Sequence, residues 1–238
     1  MQNIKQKINK NEILRYLGHN GQEVGESLYK LIDECIAELA EISRYRYTYK
    51  IFDVKIGMQR GMSCIELLSS SVRLEGNDIY EHLRSSKKCA VMAATLGVEV
   101  DNAIRNAERQ GMLRALVLDA CATEFIEKLC DAVEDEIKSK ADAEGCGTSF
   151  RFSPGYGDLP IEAQSDVIAA IDATRKTGIT VTENSIMIPR KSVTAIIGFT
   201  KEYRINKQKT KCDICSMRGN CMFRKGGTTC GRGRVYKA

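Results

Sequence analysis

All three prolines of the chain fall between residues 154 and 189, in Arg151-Phe-Ser-Pro-Gly-Tyr-Gly-Asp-Leu-Pro160 and in Thr177-Gly-Ile-Thr-Val-Thr-Glu-Asn-Ser-Ile-Met-Ile-Pro189. Pro154 locks its own φ and pushes Ser153 toward extended geometry, while Gly155 and Gly157 admit left-handed conformations on either side of Tyr156. These residues predict a rigid loop. It opens on a guanidinium, carries an aromatic hydroxyl at its centre and enters a helix near Pro160, a helix-start proline. Such a loop suits a small anionic or zwitterionic ligand. Arg151 would grip a carboxylate with its two-pronged fork, amides around Gly155 would donate, and Tyr156 would cover an apolar or ring surface. A plain structural turn with a surface arginine is the competing reading on spacing alone.

Periodicity supplies the elements around this loop. Asn11 to Leu17 and Glu26 to Glu41 read as helices, the second with Leu28, Ile32, Cys35, Ile36 and Leu39 at near-helical spacing. Tyr47 to Ile56, Ile65 to Leu74 and Cys89 to Thr95 are rich in β-branched or aromatic residues and read as strands, with a short helix near Asn77 to Arg84. After Gly97 two helices follow, broken near Gly111, and the second repeats Leu116, Ala120, Thr123, Ile126, Cys130, Val133 and Ile137 on an apolar face. A further helix over 161–177 stops at Gly178. Ile179 to Met187 and Ser192 to Phe199 then read as two strands of a hairpin across Pro189. Strands on both sides of a long helical block predict an α+β fold with a mixed or antiparallel sheet and packed helices.

Charge divides the chain in two. Residues 201–238 hold eleven Lys or Arg against two acids, whereas residues 1–200 hold twenty-five against twenty-nine. The expected organisation is a body over 1–200 and a basic tail over 201–238. With 43% hydrophobic residues and 28% charged, the body has material for one substantial core. There is no run of eighteen apolar residues, and Met-Gln-Asn-Ile-Lys-Gln-Lys lacks the apolar stretch of a signal peptide, so the expected location is cytoplasmic, with no membrane partner. Ten cysteines without an export signal argue for reduced thiols. Cys35, Cys64, Cys89, Cys121 and Cys130 read as small core hydrophobes, with Cys146 the exception between two glycines. In the tail, Cys212, Cys215, Cys221 and Cys230 are spaced C-x2-C-x5-C-x8-C, the ligand count of a tetrahedral zinc or an iron–sulfur cluster. The irregular spacing favours iron–sulfur, with zinc the alternative.

The two proline segments, followed by Ser192-Val193, resemble the S-adenosylmethionine-binding activation domain of cobalamin-dependent methionine synthase. Ile13-Leu-Arg-Tyr-Leu-Gly18 and Ala93-Ala-Thr-Leu-Gly97 are similar to free-standing members, and the resemblance covers roughly residues 9 to 200. It implies an S-adenosylmethionine site in which Arg151 binds the ligand carboxylate, Ser153 touches the ligand through its backbone and Tyr156 contacts it; Gly155 joins these as the amide donor that the loop geometry suggests. An acidic residue on the preceding helix also contacts ligand in that family. Here Thr123 occupies its place, with Glu124 one step away and Glu127 one turn on. Glu124 is therefore the candidate, and Glu183 and Ser192 read as caps or braces of strands.

The implied function is support of reductive methylation of cob(II)alamin. The cobalamin would be carried by a partner, methionine synthase or another corrinoid protein, and the electron would come from a flavodoxin, a ferredoxin-like donor or the four-cysteine tail. No nucleophilic side chain is required, because cobalt(I) attacks the sulfonium methyl and the protein contributes placement. The chain would be a component of a methyltransferase system, since 238 residues cannot hold the cobalamin-, folate- and homocysteine-binding domains of a complete enzyme. Two alternatives stand beside this. One is an S-adenosylmethionine-binding sensor or scaffold, and the other is nucleic-acid binding through a zinc-bound basic tail, disfavoured because the tail offers only Tyr203, Phe223 and Tyr236 for base stacking.

Overall fold

The computed structural model describes residues 7–19, 21–59 and 62–201. In chain order the elements are α1 (Lys10–Tyr16), α2 (Glu26–Ile42), β1 (Arg46–Gln59), β2 (Met62–Leu67), β3 (Arg73–Glu75), α3 (Asn77–Leu83) and β4 (Lys88–Thr95). There follow α4 (Val98–Gln110), α5 (Met112–Ala143), β5 (Gly147–Thr148), α6 (Ala163–Ala170), α7 (Ala173–Thr177), β6 (Thr180–Val181), β7 (Met187–Ile188) and β8 (Ser192–Thr200). Six strands form one sheet in the order β3-β2-β1-β4-β8-β5, every neighbouring pair antiparallel, and β6 and β7 form a separate two-stranded sheet. The α+β class and the antiparallel sheet expected from the sequence are what is observed.

The period of two in β4 explains the layering. Ala90, Met92 and Ala94 face a core built with α1, α2, α4 and α5, while Cys89, Val91 and Ala93 face a second core with α3, α6, α7 and the proline loop. Seven of the eight β4 residues are buried, as a strand covered on both faces requires. Helix α5 is the longest element at 32 residues and crosses one face of the sheet, with Leu118, Cys121, Phe125, Leu129, Val133 and Ile137 turned inward. Of the face expected on this helix, Leu116 departs from the pattern and is 55% exposed. Cys35, Cys64, Cys89, Cys121 and Cys130 are buried free thiols and Cys146 is half-buried.

Three expectations are corrected. The segment 65–74 is two antiparallel strands, because Ser69 turns the chain in the left-handed region (φ 63) and Leu67 N donates to Val72 O. The helix over 161–177 is two helices, broken at Asp172, which adopts φ 56 and ψ 39. The segments 179–187 and 192–199 do not pair with each other. Thr182 N donates to Ile186 O across a turn that includes Ser185 at φ 60, so the first segment closes on itself as β6 and β7. Strand β8, buried along nearly all its length, pairs with β4 and β5 in the main sheet. No described helix is long and apolar enough to cross a membrane.

Candidate functional site

The proline loop is stapled to β8 before it turns outward. Phe152 exchanges both backbone hydrogen bonds with Ile196 (3.0 and 2.7 Å), and the Ser153 hydroxyl donates to Thr194 O at 2.7 Å. The Thr194 hydroxyl is in turn bonded to the buried Gln164 amide of α6. Within the turn, Tyr156 N donates to Ser153 O, Gly155 N to Leu159 O and Leu159 N to Tyr156 O. Gly155 sits at φ 84, a conformation open to glycine. The Gly155 amide, expected to face a ligand, is thus used by the loop itself. The rings of Phe152 and Tyr156 meet edge to face with centroids 5.9 Å apart, which leaves Tyr156 half-buried.

Arg151 points at α5, where Glu127, Asp131 and Glu134 recur at i, i+4 and i+7 on one face. Its Nη2 lies 3.0 Å from a Glu127 oxygen and 3.0 Å from an Asp131 oxygen, and its Nε lies 3.1 Å from Glu134. The Arg151 side chain is 13% exposed and that of Glu134 1%, whereas Glu127 and Asp131 remain 41% and 37% exposed, so the cluster has a buried anchor and an open rim. Burial works against the charge of Arg151, but the field of Cys130, Glu127, Glu134 and Asp131 overrides it and holds the group above its ordinary value. Burial pushes Cys130 up to about 12, so it keeps its proton at neutral pH and the three carboxylates supply the field that matters.

The acidic stripe continues toward α1. Glu124, one turn before Glu127, is fully buried, accepts from Asn9 N at 3.2 Å and lies 3.5 Å from Lys128 Nζ, so it ties the start of α1 to α5. Tyr16 at the end of α1 is pushed up to about 12 by burial and by Glu127 and Glu124, with the Arg15 guanidinium 4.5 Å over its ring. Thr123 donates to Asp119 O and accepts from Lys191 Nζ, so the position where the resemblance expects an acid belongs to a lysine network. Ser192 braces the entry of β8: its hydroxyl donates to Pro189 O and lies 2.8 Å from the Thr95 hydroxyl.

The structure therefore brings Arg151, Ser153, Gly155 and Tyr156 together on one loop and places Glu124 on the same helix face as the Arg151 partners. Sequence reasoning missed Tyr16, Asp131 and Glu134. The signal for the two acids is the spacing 124, 127, 131, 134 on one helix whose other side is apolar. Cys212, Cys215, Cys221 and Cys230 lie outside the described residues. Among the described residues, no group of three or more His, Cys, Asp or Glu is placed to hold a metal. An open groove of about 670 Å3 lies elsewhere, between α2 and α4, lined by Glu38, Arg44, Glu99, Asn106 and Arg114 among others. Its two arginines are already engaged, Arg114 with Glu38 and Glu34 and Arg44 with the Glu41 carbonyl.

No protein-family model matches the chain, and no curated protein matches it. Among solved structures, the chain is similar to the MetH reactivation domain crystallised with AdoHcy, with a TM-score of 0.63 and 15% identity over 82% of this chain and 74% of that one. The chain has the α+β fold of that reactivation domain.

Proposed function

We propose that the chain binds S-adenosylmethionine between the Arg151–Tyr156 loop and the acidic face of α5, and supports reductive methylation of a corrinoid carried by methionine synthase or a related methyltransferase. The observation that carries this reading is Arg151, fixed on a stapled loop among three carboxylates, two of which stay open to solvent. S-adenosylmethionine carries a carboxylate, an ammonium and a sulfonium, a net positive charge. A guanidinium in an excess of acids matches that mixture, because the fork takes the carboxylate while Glu127 and Asp131 are released toward the cationic groups. Likeness of fold to a domain crystallised with AdoHcy supports the same ligand class.

The partner's cobalamin would supply the nucleophile, and the methyl group would leave as the S–C electron pair returns to sulfur, giving S-adenosylhomocysteine. The residues of this chain would hold the donor in line and exclude water. The four tail cysteines, by the chemistry of four thiolates, would hold an iron–sulfur cluster that passes the electron, with zinc the alternative. Metal analysis and a visible spectrum of anaerobically purified protein separate the two.

Calorimetric titration of the wild type and of Glu127→Gln with S-adenosylmethionine and S-adenosylhomocysteine tests the site. Glu127→Gln should weaken S-adenosylmethionine by about 1 kcal/mol and the uncharged thioether product by less. Equal losses would place Glu127 at the ammonium, which both ligands carry; no loss for either ligand, or a gain for S-adenosylmethionine, would contradict the assignment of Glu127 to the cationic groups. A methyl-transfer assay with a cobalamin-loaded partner then distinguishes an activator from a protein that only binds the ligand.

A further inference from the structure

The loop carrying Arg151 and Tyr156 is held at both flanks by one short helix, α3. Upstream of Arg151, His82 of α3 packs its ring on Phe150 and Phe152 with centroids at 4.5 and 5.0 Å, and its Nε2 is 2.9 Å from the Ser149 hydroxyl. Downstream of Tyr156, the chain locks onto the other end of the same helix. Asp158 accepts from Asn77 N at 2.6 Å and from Asp78 N at 2.9 Å, one bond to each carboxylate oxygen, and Asp158 N donates to Asp78 Oδ2 at 3.2 Å.

Two glycines permit this interlock. A Cβ on Gly76 would stand 2.5 Å from Asp158 Oδ1, and a Cβ on Gly157 would run into the Asp78 carboxylate. Their φ angles of 142° and 55° also disfavour any side chain. Like charges face each other at this point, so the attraction comes from the amides: bonds from N–H groups to a carboxylate are the strong kind, and an anion is favoured at the start of a helix. The interlock is exposed to solvent, while the aromatic contact upstream is buried. The buried end keeps α3 attached to the fold, and the exposed end sets where the second half of the loop stands relative to Arg151.

We propose that Asp158 is a positioning residue for ligand binding, acting through the loop to set the placement of Tyr156 against Arg151. The inference rests on the functional reading above. Its test compares Asp158→Ala and Asp158→Asn in the full chain by two readouts. Amide hydrogen exchange needs no ligand: Asp158→Ala should speed exchange at Tyr156 and Leu159 by about tenfold with α5 unchanged. Asp158→Asn, which keeps one acceptor, should fall between. Unchanged exchange in Asp158→Ala overturns the clasp. Titration with S-adenosylmethionine reads the positioning: Asp158→Ala should weaken binding on the order of tenfold, as a misplaced recognition group does, and Asp158→Asn should recover most of it. Faster exchange with unchanged affinity makes Asp158 a structural residue and overturns the positioning role. A wild type that binds no S-adenosylmethionine defeats the functional reading and the positioning role together, and exchange still decides the clasp.

Discussion

The proline loop has two neighbours that hold it by opposite means. Toward α5 it presents a buried charge, Arg151, compensated by Glu127, Asp131 and Glu134. Toward α3 it presents Phe150 and Phe152 to His82, a titratable group that burial and packing keep neutral by lowering its pKa to about 4. The charged side offers groups that a ligand can exchange for its own, whereas the aromatic side offers contacts that no soluble ligand replaces. A binding loop needs both, a face that can trade partners and a face that cannot.

The largest effect should come from removing the guanidinium. Arg151→Ala removes a cation from Glu134, 1% exposed and also 3.3 Å from Lys138, and should cost about 3–5 kcal/mol of stability in urea denaturation. A loss below about 1 kcal/mol would mean that solvent already compensates the cluster. For that reason Arg151→Ala is a poor probe of ligand affinity unless stability is measured beside it.

The aromatic side should respond to pH instead. His82 has a folded pKa of about 4 against an ordinary 6.5, so between these values the unfolded chain binds a proton that the folded chain does not. This contribution to stability is complete above about pH 6.5 and is lost as pH falls toward 4, to an extent on the order of 3 kcal/mol. Urea midpoints at several pH values for the wild type and His82→Gln isolate it, because the carboxylates titrate in both. Parallel curves would contradict a neutral buried histidine.

The smallest effect belongs to the outer face of α3. Arg84 and Glu81 pair at 2.9 Å but are both about 60% exposed, so Arg84→Ala should change stability by less than about 0.5 kcal/mol. A larger loss would show that α3 is held from its solvent side as well as from its buried side.

Much of this was legible locally. Pro154, Gly155 and Gly157 announce a rigid turn through their own φ preferences, and the bounds of α2, α4 and α5 follow from apolar spacing and the break at Gly111. Local signals misled where the chain reverses without proline or a central glycine. Ser69, Asp172 and Ser185 adopt left-handed conformations that their residue types do not demand, and each split an element that periodicity read as continuous. Ser192 to Phe199 reads as a hairpin partner because its neighbour in sequence is apolar, yet its burial on both faces is satisfied only between β4 and β5.

The sequence by itself determined the loop, its arginine and tyrosine, the long helix and the α+β class, because each depends on torsional limits or on a repeat of apolar residues along one segment. Only the tertiary structure decided what Arg151 meets, that Glu124 is committed to Asn9 and Lys128, that the Gly155 amide is consumed within the turn, and that α3 grips the loop at both ends. Apart from the Glu124–Lys128 pair and the bond within the turn, these are contacts between residues far apart in sequence, up to 115 positions, set by how two cores pack on the two faces of one sheet, and no property of either partner alone specifies them.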